Sequence, residues 1–204
     1  MNQYNPLTHH RKSIRLKGYD YSKAGLYFIT ICCQNRACLF GKVVGANPCG
    51  RPNTNNETQM DLNNAGKMIE EQWLLLKNRF SNIELHEFVI MPNHFHGILE
   101  IVDTNEHIID LNDKGRPQGH ENGNGQPQGH APTTVGDIIG AFKSITTVEY
   151  ICGVKTFDWQ PFNRKLWQRN YYEHIIRDEN GYQKISIYII NNPKEWDKDK
   201  FFEK

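Results

Sequence analysis

Within "MPNHFHGILEI", residues 91–101, one phenylalanine separates His94 from His96, and an aliphatic run follows. On a β-strand, residues two apart project to the same face, so the two imidazoles lie side by side while Phe95 points the other way. Two neutral imidazoles at that spacing can bind one divalent ion. The same pattern also suits two satisfied or solvent-facing histidines, and two nitrogens alone leave a coordination shell incomplete. Near the far end of the chain, in "KISIYIINNP", Tyr188 and Asn192 are four residues apart and share a face if the segment is helical. A carboxamide oxygen is a hard ligand that suits Mg²⁺ or Mn²⁺. One turn earlier, the Tyr188 hydroxyl reaches toward the same ion. A metal there polarises a phosphate oxygen and orients the ester for in-line attack by the phenol, giving a covalent phosphotyrosine. The competing reading packs Tyr188 in the core and makes Asn192 a helix cap before Pro193. Tyr182, six residues before Tyr188, faces away from it on an ideal helix.

These groups need elements to hold them. "GLYFITICCQ" (25–34), "IELHEFVIM" (83–91), "HFHGILEIV" (94–102) and "KLWQRNYYEHIIR" (165–177) read as strands, the second and third joined by a Pro92-Asn93 turn and hence antiparallel. A helical period runs from Asp61 to Phe80, with Leu62, Ala65, Ile69, Trp73, Leu76 and Phe80 on one face and Asp61, Asn63 or Asn64 as its cap. A second helix spans 134–153, with a Thr134/Asp137 capping box and Gly153 as its stop. A third, 181–192, is stopped by Pro193. Residues 41–60 read as a loop. Residues 103–132, where "PQGH" occurs twice, read as a flexible surface insertion of low complexity. The order β, α, β, β, α, β, α predicts one α+β domain over residues 1–204. Its core is a ferredoxin-like split β-α-β: a four-stranded antiparallel sheet with two helices on one face, plus a C-terminal helix carrying Tyr188.

Composition narrows the function classes. The 204 residues, 38% hydrophobic and 23% charged, suit an ordinary soluble domain. No apolar run reaches the roughly 18 residues that span a bilayer, and the N-terminal segment lacks the apolar core of a signal peptide, which predicts a cytoplasmic protein without membrane contact. The five cysteines include no CxxC pair and read as reduced thiols. The net charge of +1 is uninformative, but its distribution is not. Arg11, Lys12, Arg15, Lys17 and Lys23 crowd the first segment. Arg164, Lys165 and Arg169 interleave with Phe162, Trp167, Tyr171 and Tyr172, a mixture that suits single-stranded nucleic acid and equally suits a solvated surface over core aromatics.

"SIRLKGYDYSKAGLYFITICCQNRACLFG", "MPNHFHGILEI", "VGDIIGAFKSITT" and "LWQRNYYEHIIRDENGYQKISIYIINNP" occur in that order. Together they resemble the REP-associated tyrosine transposases, relatives of the insertion sequence 200-like single-tyrosine transposases in the HUH endonuclease superfamily. The resemblance covers residues 11 to 195, apart from the 45–60 loop and the 103–132 insertion. It implies His94 and His96 as paired metal ligands, Asn192 as the third, where some relatives carry glutamine, and Tyr188 as the nucleophile. It implies a Mg²⁺- or Mn²⁺-dependent enzyme that cuts single-stranded DNA next to a hairpin, leaving a 5′-phosphotyrosine and a free 3′-hydroxyl, and then transfers the strand. Arg11, Lys12, Arg15, Lys17, Lys143, Arg164, Lys165 and Arg169 become candidates for DNA phosphate contacts. The assembly expected is a monomer or a homodimer. The rival expectations are an HUH nickase of replication or conjugation, a host-adopted protein that binds structured DNA without cutting it, and a small phosphoesterase unrelated to hairpins.

Overall fold

The computed structural model describes residue 16 and residues 18–45, 58–103 and 133–202. Arg11, Lys12, Arg15 and Lys17, and the expected insertion beyond Asp103, lie outside them. The eight residues of β1 (Gly25–Cys32) set the frame, alternating between fully buried Tyr27, Ile29 and Ile31 on one face and Leu26, Phe28 and Thr30 on the other. A short hairpin of β2 (Gly41–Val44) and β3 (Gln59–Leu62) follows, then α1 (Asn64–Leu74) and a single-turn α2 (Leu76–Arg79). Next come β4 (Ile83–Met91), β5 (His94–Ile101), α3 (Val135–Phe157), β6 (Tyr172–Ile176) and α4 (Glu179–Asn191). The main sheet has the order β4-β5-β1-β6, antiparallel throughout. This is the expected split β-α-β sheet.

Several boundaries moved for identifiable reasons. The 41–60 stretch read as loop contributes both strands of the small hairpin. The first helix starts at Asn64, not Asp61, because the Asn63 side chain accepts from the Gly66 amide and caps it. The second helix runs past Gly153 to a left-handed Asp158. Gly153 is there for closeness: a Cβ would stand 2.2 Å from the Trp159 ring. The fourth strand shrinks from 165–177 to Tyr172–Ile176. Upstream of it, Trp167 makes only an isolated bridge to Cys33.

The two faces of the sheet differ. One carries the main core, where Tyr27, Ile29, Ile31, Phe95 and Leu99 meet Ile69 and Trp73 of α1 and Ile138, Ile139 and Phe142 of α3. Gly97 lies under Trp73 and Phe95, whose ring atoms a Cβ would approach to within 2.9 Å. On the other face α4 lies alone. Its Ile189 packs with Ile98 and Ile176, flanked by Leu26, Phe28, Val89, Tyr182 and Ile185. Fully burying an isoleucine there contributes about 1.5–3 kcal/mol. This small second core holds α4 against the strand that carries the histidines. No helix among the described residues is long and apolar enough to cross a membrane.

Candidate metal and nucleophile site

Strand alternation puts Phe95 in the main core and turns His94 and His96 to the α4 face, where they are 0% and 1% exposed. Their ring centroids are 4.5 Å apart. Each ring is fixed by its Nδ1. That of His94 lies 2.9 Å from Asn93 Oδ1, and Asn93 Nδ2 in turn donates to the Phe201 carbonyl, which settles the amide orientation. His94 Nδ1–H is therefore a donor, and a neutral ring leaves Nε2 as a bare lone pair. His96 Nδ1 lies 2.8 Å from Thr30 Oγ1, its register partner on β1. Its Nε2 lies 3.2 Å from the Tyr188 hydroxyl. A phenol donating to Nε2 requires the proton on Nδ1, so both imidazoles turn Nε2 to the same place.

Asn192 closes α4 at 2% exposure, its Nδ2 donating to Asp199 Oδ2 at 3.2 Å. His94 Nε2 and Asn192 Oδ1 are both buried without a hydrogen-bond partner. Burial pushes His94 down to about 4, against the upward pull of Asp199 and Asn192. Burial and the neighbouring His94 push His96 well below its usual value. Both rings are thus neutral near pH 7. Ligand atoms of His94, His96 and Asp199 all lie within 4.8 Å of one another, and this group could hold a metal ion. Electron-pair donors that face each other with no proton between them are costly when buried, and a cation removes that cost. The donor set of two imidazoles, a carboxylate and a carboxamide suits a divalent ion.

The tail after Pro193 buries the site. Trp196 and Phe201 pack on His94 with ring centroids 5.9 and 4.7 Å away, and the Arg36 guanidinium stacks over Phe201 at 5.0 Å while donating to the Lys200 carbonyl. Tyr188 is 41% exposed, edge-on to Phe28 at 6.1 Å. Burial, then the charge of Asp199, pushes its phenol up to about 12, so it is protonated at neutral pH. It opens into a groove of about 660 Å³ lined by Phe28, Thr30, His96, Lys184, Lys198 and Lys200.

No protein-family model matches the chain. An uncharacterized protein of Haemophilus influenzae is 40% identical over 209 residues, covering 98% of this chain and 97% of that protein. The chain belongs to that protein's family. Among solved structures, it is similar to a REP-associated tyrosine transposase bound to a REP hairpin, with a TM-score of 0.47 and 17% identity, over 96% of this chain and 74% of the other. It is also similar to a candidate transposase from Deinococcus radiodurans, with a TM-score of 0.38 and 17% identity, over 87% of this chain and 95% of the other.

The four residues singled out for chemistry thus meet at one point, whereas Lys143, Arg164 and Lys165 lie apart from it. Lys143 donates to the carbonyls of Gln168 and Arg169 at 2.6 and 3.0 Å, and burial lowers it to about 8. It braces the loop that carries Arg164, Lys165 and Arg169. Arg164 and Lys165 line a separate polar cleft of about 390 Å³ with Gln34, Asn35 and Asn163. The aromatics interleaved with them are mostly core: Trp167 packs on Phe40 and Phe142, and Phe162 on Tyr150. Tyr172 is the exposed exception. The sequence reading missed Asp199, which follows no periodic pattern, and Lys184, whose place one turn before Tyr188 was a usable signal.

The bond from Thr30 to His96 leads to a direct expectation. Thr30→Val keeps the shape and removes the acceptor that fixes the tautomer. Divalent-ion affinity, measured by Mn²⁺ titration, is expected to fall roughly 10–100-fold with the fold intact. An unchanged affinity would show that Thr30 does not orient the ring.

Proposed function

We propose that this protein is a metal-dependent, single-tyrosine nuclease and strand transferase for single-stranded DNA beside hairpins, of the REP-associated transposase type. One observation carries the reading: the Tyr188 hydroxyl stands 3.2 Å from His96 Nε2, next to the buried and unpartnered His94 Nε2 and Asn192 Oδ1. A nucleophile beside a convergent set of metal donors, open to a groove that Lys184, Lys198 and Lys200 line together with Glu195 and Asp199, suits attack on a phosphodiester.

His94, His96 and Asn192 would hold Mg²⁺ or Mn²⁺, with Asp199 added to the set expected from the sequence. When bound, the ion supplies Lewis-acid polarisation of a phosphate oxygen. The rest is done by side chains. Tyr188 gives up its proton and its oxygen attacks phosphorus. The new P–O bond to Tyr188 forms as the bond to the 3′ oxygen breaks, and that oxygen takes up a proton to become a free 3′-hydroxyl. The tyrosyl ester conserves the phosphodiester and can be attacked by another 3′-hydroxyl, which is strand transfer. Tyr182 is not placed as a second nucleophile, because its hydroxyl lies on Glu87 and His86 of β4, at 2.9 and 3.3 Å, and not on the His94/His96 pair. This favours single-tyrosine chemistry over the two-tyrosine nickases.

Incubation with a pool of labelled hairpin oligonucleotides and Mn²⁺, followed by a denaturing gel, tests the reading. A labelled protein band of retarded mobility supports it; no covalent adduct with any hairpin or single strand overturns it. Lys184 and Lys200 are expected to bind flanking phosphates. Changing both to alanine should weaken single-strand binding and flatten the dependence of log K on log salt by roughly 1.4, the value for two phosphate contacts. Fluorescence anisotropy across a salt series checks this.

A further inference from the structure

β4 breaks its alternation between Leu85 and Phe88, where one extra residue bulges out of register with β5. Without the bulge, Glu87 would face the main core. With it, Phe88 takes that place, packed on Trp73 and Phe95, and His86 and Glu87 both turn toward α4. There the Glu87 carboxylate accepts from two hydroxyls of α4: Tyr182 at 2.9 Å and Ser186 at 3.1 Å. These donors are four residues apart, one turn of the helix, and Tyr188 is two residues beyond the second. Tyr182 also lies 3.3 Å from His86 Nδ1, and His86 Nε2 lies 2.8 Å from Glu100 on β5. The whole chain of bonds ties α4 to the two strands β4 and β5.

We propose that Glu87 is a positioning residue for Tyr188: its two-point clasp on Tyr182 and Ser186 sets the rotation and height of α4 that bring the phenol to His96. Burial pushes Glu87 upward, but bonds from its own amide, Tyr182 and Ser186 hold it below the usual carboxylate range. It is therefore the charged acceptor of two charge-assisted bonds near neutral pH, stronger than neutral ones. The remaining contacts of α4 with the sheet are largely aliphatic, which resist separation but do not fix a helix about its own axis. A small rotation is enough to carry a phenolic oxygen out of line, and misplacement by about 1 Å can cost roughly 100-fold in rate. The inference rests on the proposed role of Tyr188, but half of its test does not.

In the metal-free full-length protein, the ¹⁵N shift of His96 Nε2 reports the bond from Tyr188, with Tyr188→Phe as the reference for its loss. Glu87→Ala is expected to move that shift to the Tyr188→Phe position. With DNA, it should lower the single-turnover rate of adduct formation roughly 10- to 100-fold while hairpin affinity stays within about twofold. Glu87→Gln keeps a carbonyl acceptor and should restore the shift and most of the rate. Tyr182→Phe combined with Ser186→Ala removes the donors instead and should reproduce Glu87→Ala, which covers the case of an alanine variant that does not fold. A wild-type shift and rate in either set would overturn the clasp. So would equal losses of rate and affinity that Glu87→Gln does not rescue. If the wild type forms no adduct at all, the nuclease reading falls, and the shift still decides whether the clasp places Tyr188.

Discussion

Tyr188→Phe is expected to abolish covalent attachment to hairpin DNA, lowering adduct formation by more than about 10³-fold, while DNA binding changes little. The substitution removes a single oxygen. The ring keeps its edge contact with Phe28 and its place over His96, and the side chain is half exposed, so neither fold nor groove depends on the hydroxyl. The other phenol of α4, Tyr182, points to Glu87 and His86 of β4 rather than to the histidine pair, so it is not placed to substitute. A denaturing gel for the adduct and anisotropy for binding give the two readouts. An adduct that persists in the phenylalanine variant would take the nucleophile's role away from Tyr188.

His94→Ala and His96→Ala carry the second large effect. Each deletes one nitrogen of the donor set, so Mn²⁺ affinity should fall by more than the roughly 10–100-fold that loss of an orienting partner costs. Cleavage should no longer be rescued by Mn²⁺. The variants should remain folded, because the rings lie on the α4 side of the sheet, away from Trp73, Phe95 and Phe142 in the main core. Electron paramagnetic resonance of a Mn²⁺ titration reports binding without reference to DNA, and circular dichroism reports the fold. Unaltered Mn²⁺ binding in both variants would make the pair structural.

The parts of the site that could be read from the sequence are those fixed by backbone period. A spacing of two aligns His94 with His96 on a strand, and a spacing of four aligns Tyr188 with Asn192 on a helix, whatever the rest of the chain does. Asp199 was not legible because nothing local places it. It arrives through a chain reversal after Pro193, held by Phe201 against His94 and by the bond to Asn192. The strand read at 165–177 ran too long for a related reason. Trp167 is buried against Phe40 and Phe142 of the main core rather than alternating in a ladder, so the strand begins only at Tyr172. The hairpin of β2 and β3 was lost among turn formers, since four-residue strands leave little pattern. Composition leaves the basic cluster around Arg164 open between nucleic acid and a solvated surface, and only the family resemblance makes it a candidate for phosphate contacts. The lysines of the groove lie elsewhere, along α4 and the tail.

The separation of the two sheet faces bears on how the protein would fail. The large aromatic core and the reactive groups answer to different sets of contacts, and the patch under α4 is much the smaller. Segments held by few buried groups open by themselves at a lower free energy than the molecule as a whole. Warming or mild urea should therefore disable the chemistry while the tryptophan-rich half is still intact. Inactivation and melting would be two events, with the first reversible on cooling.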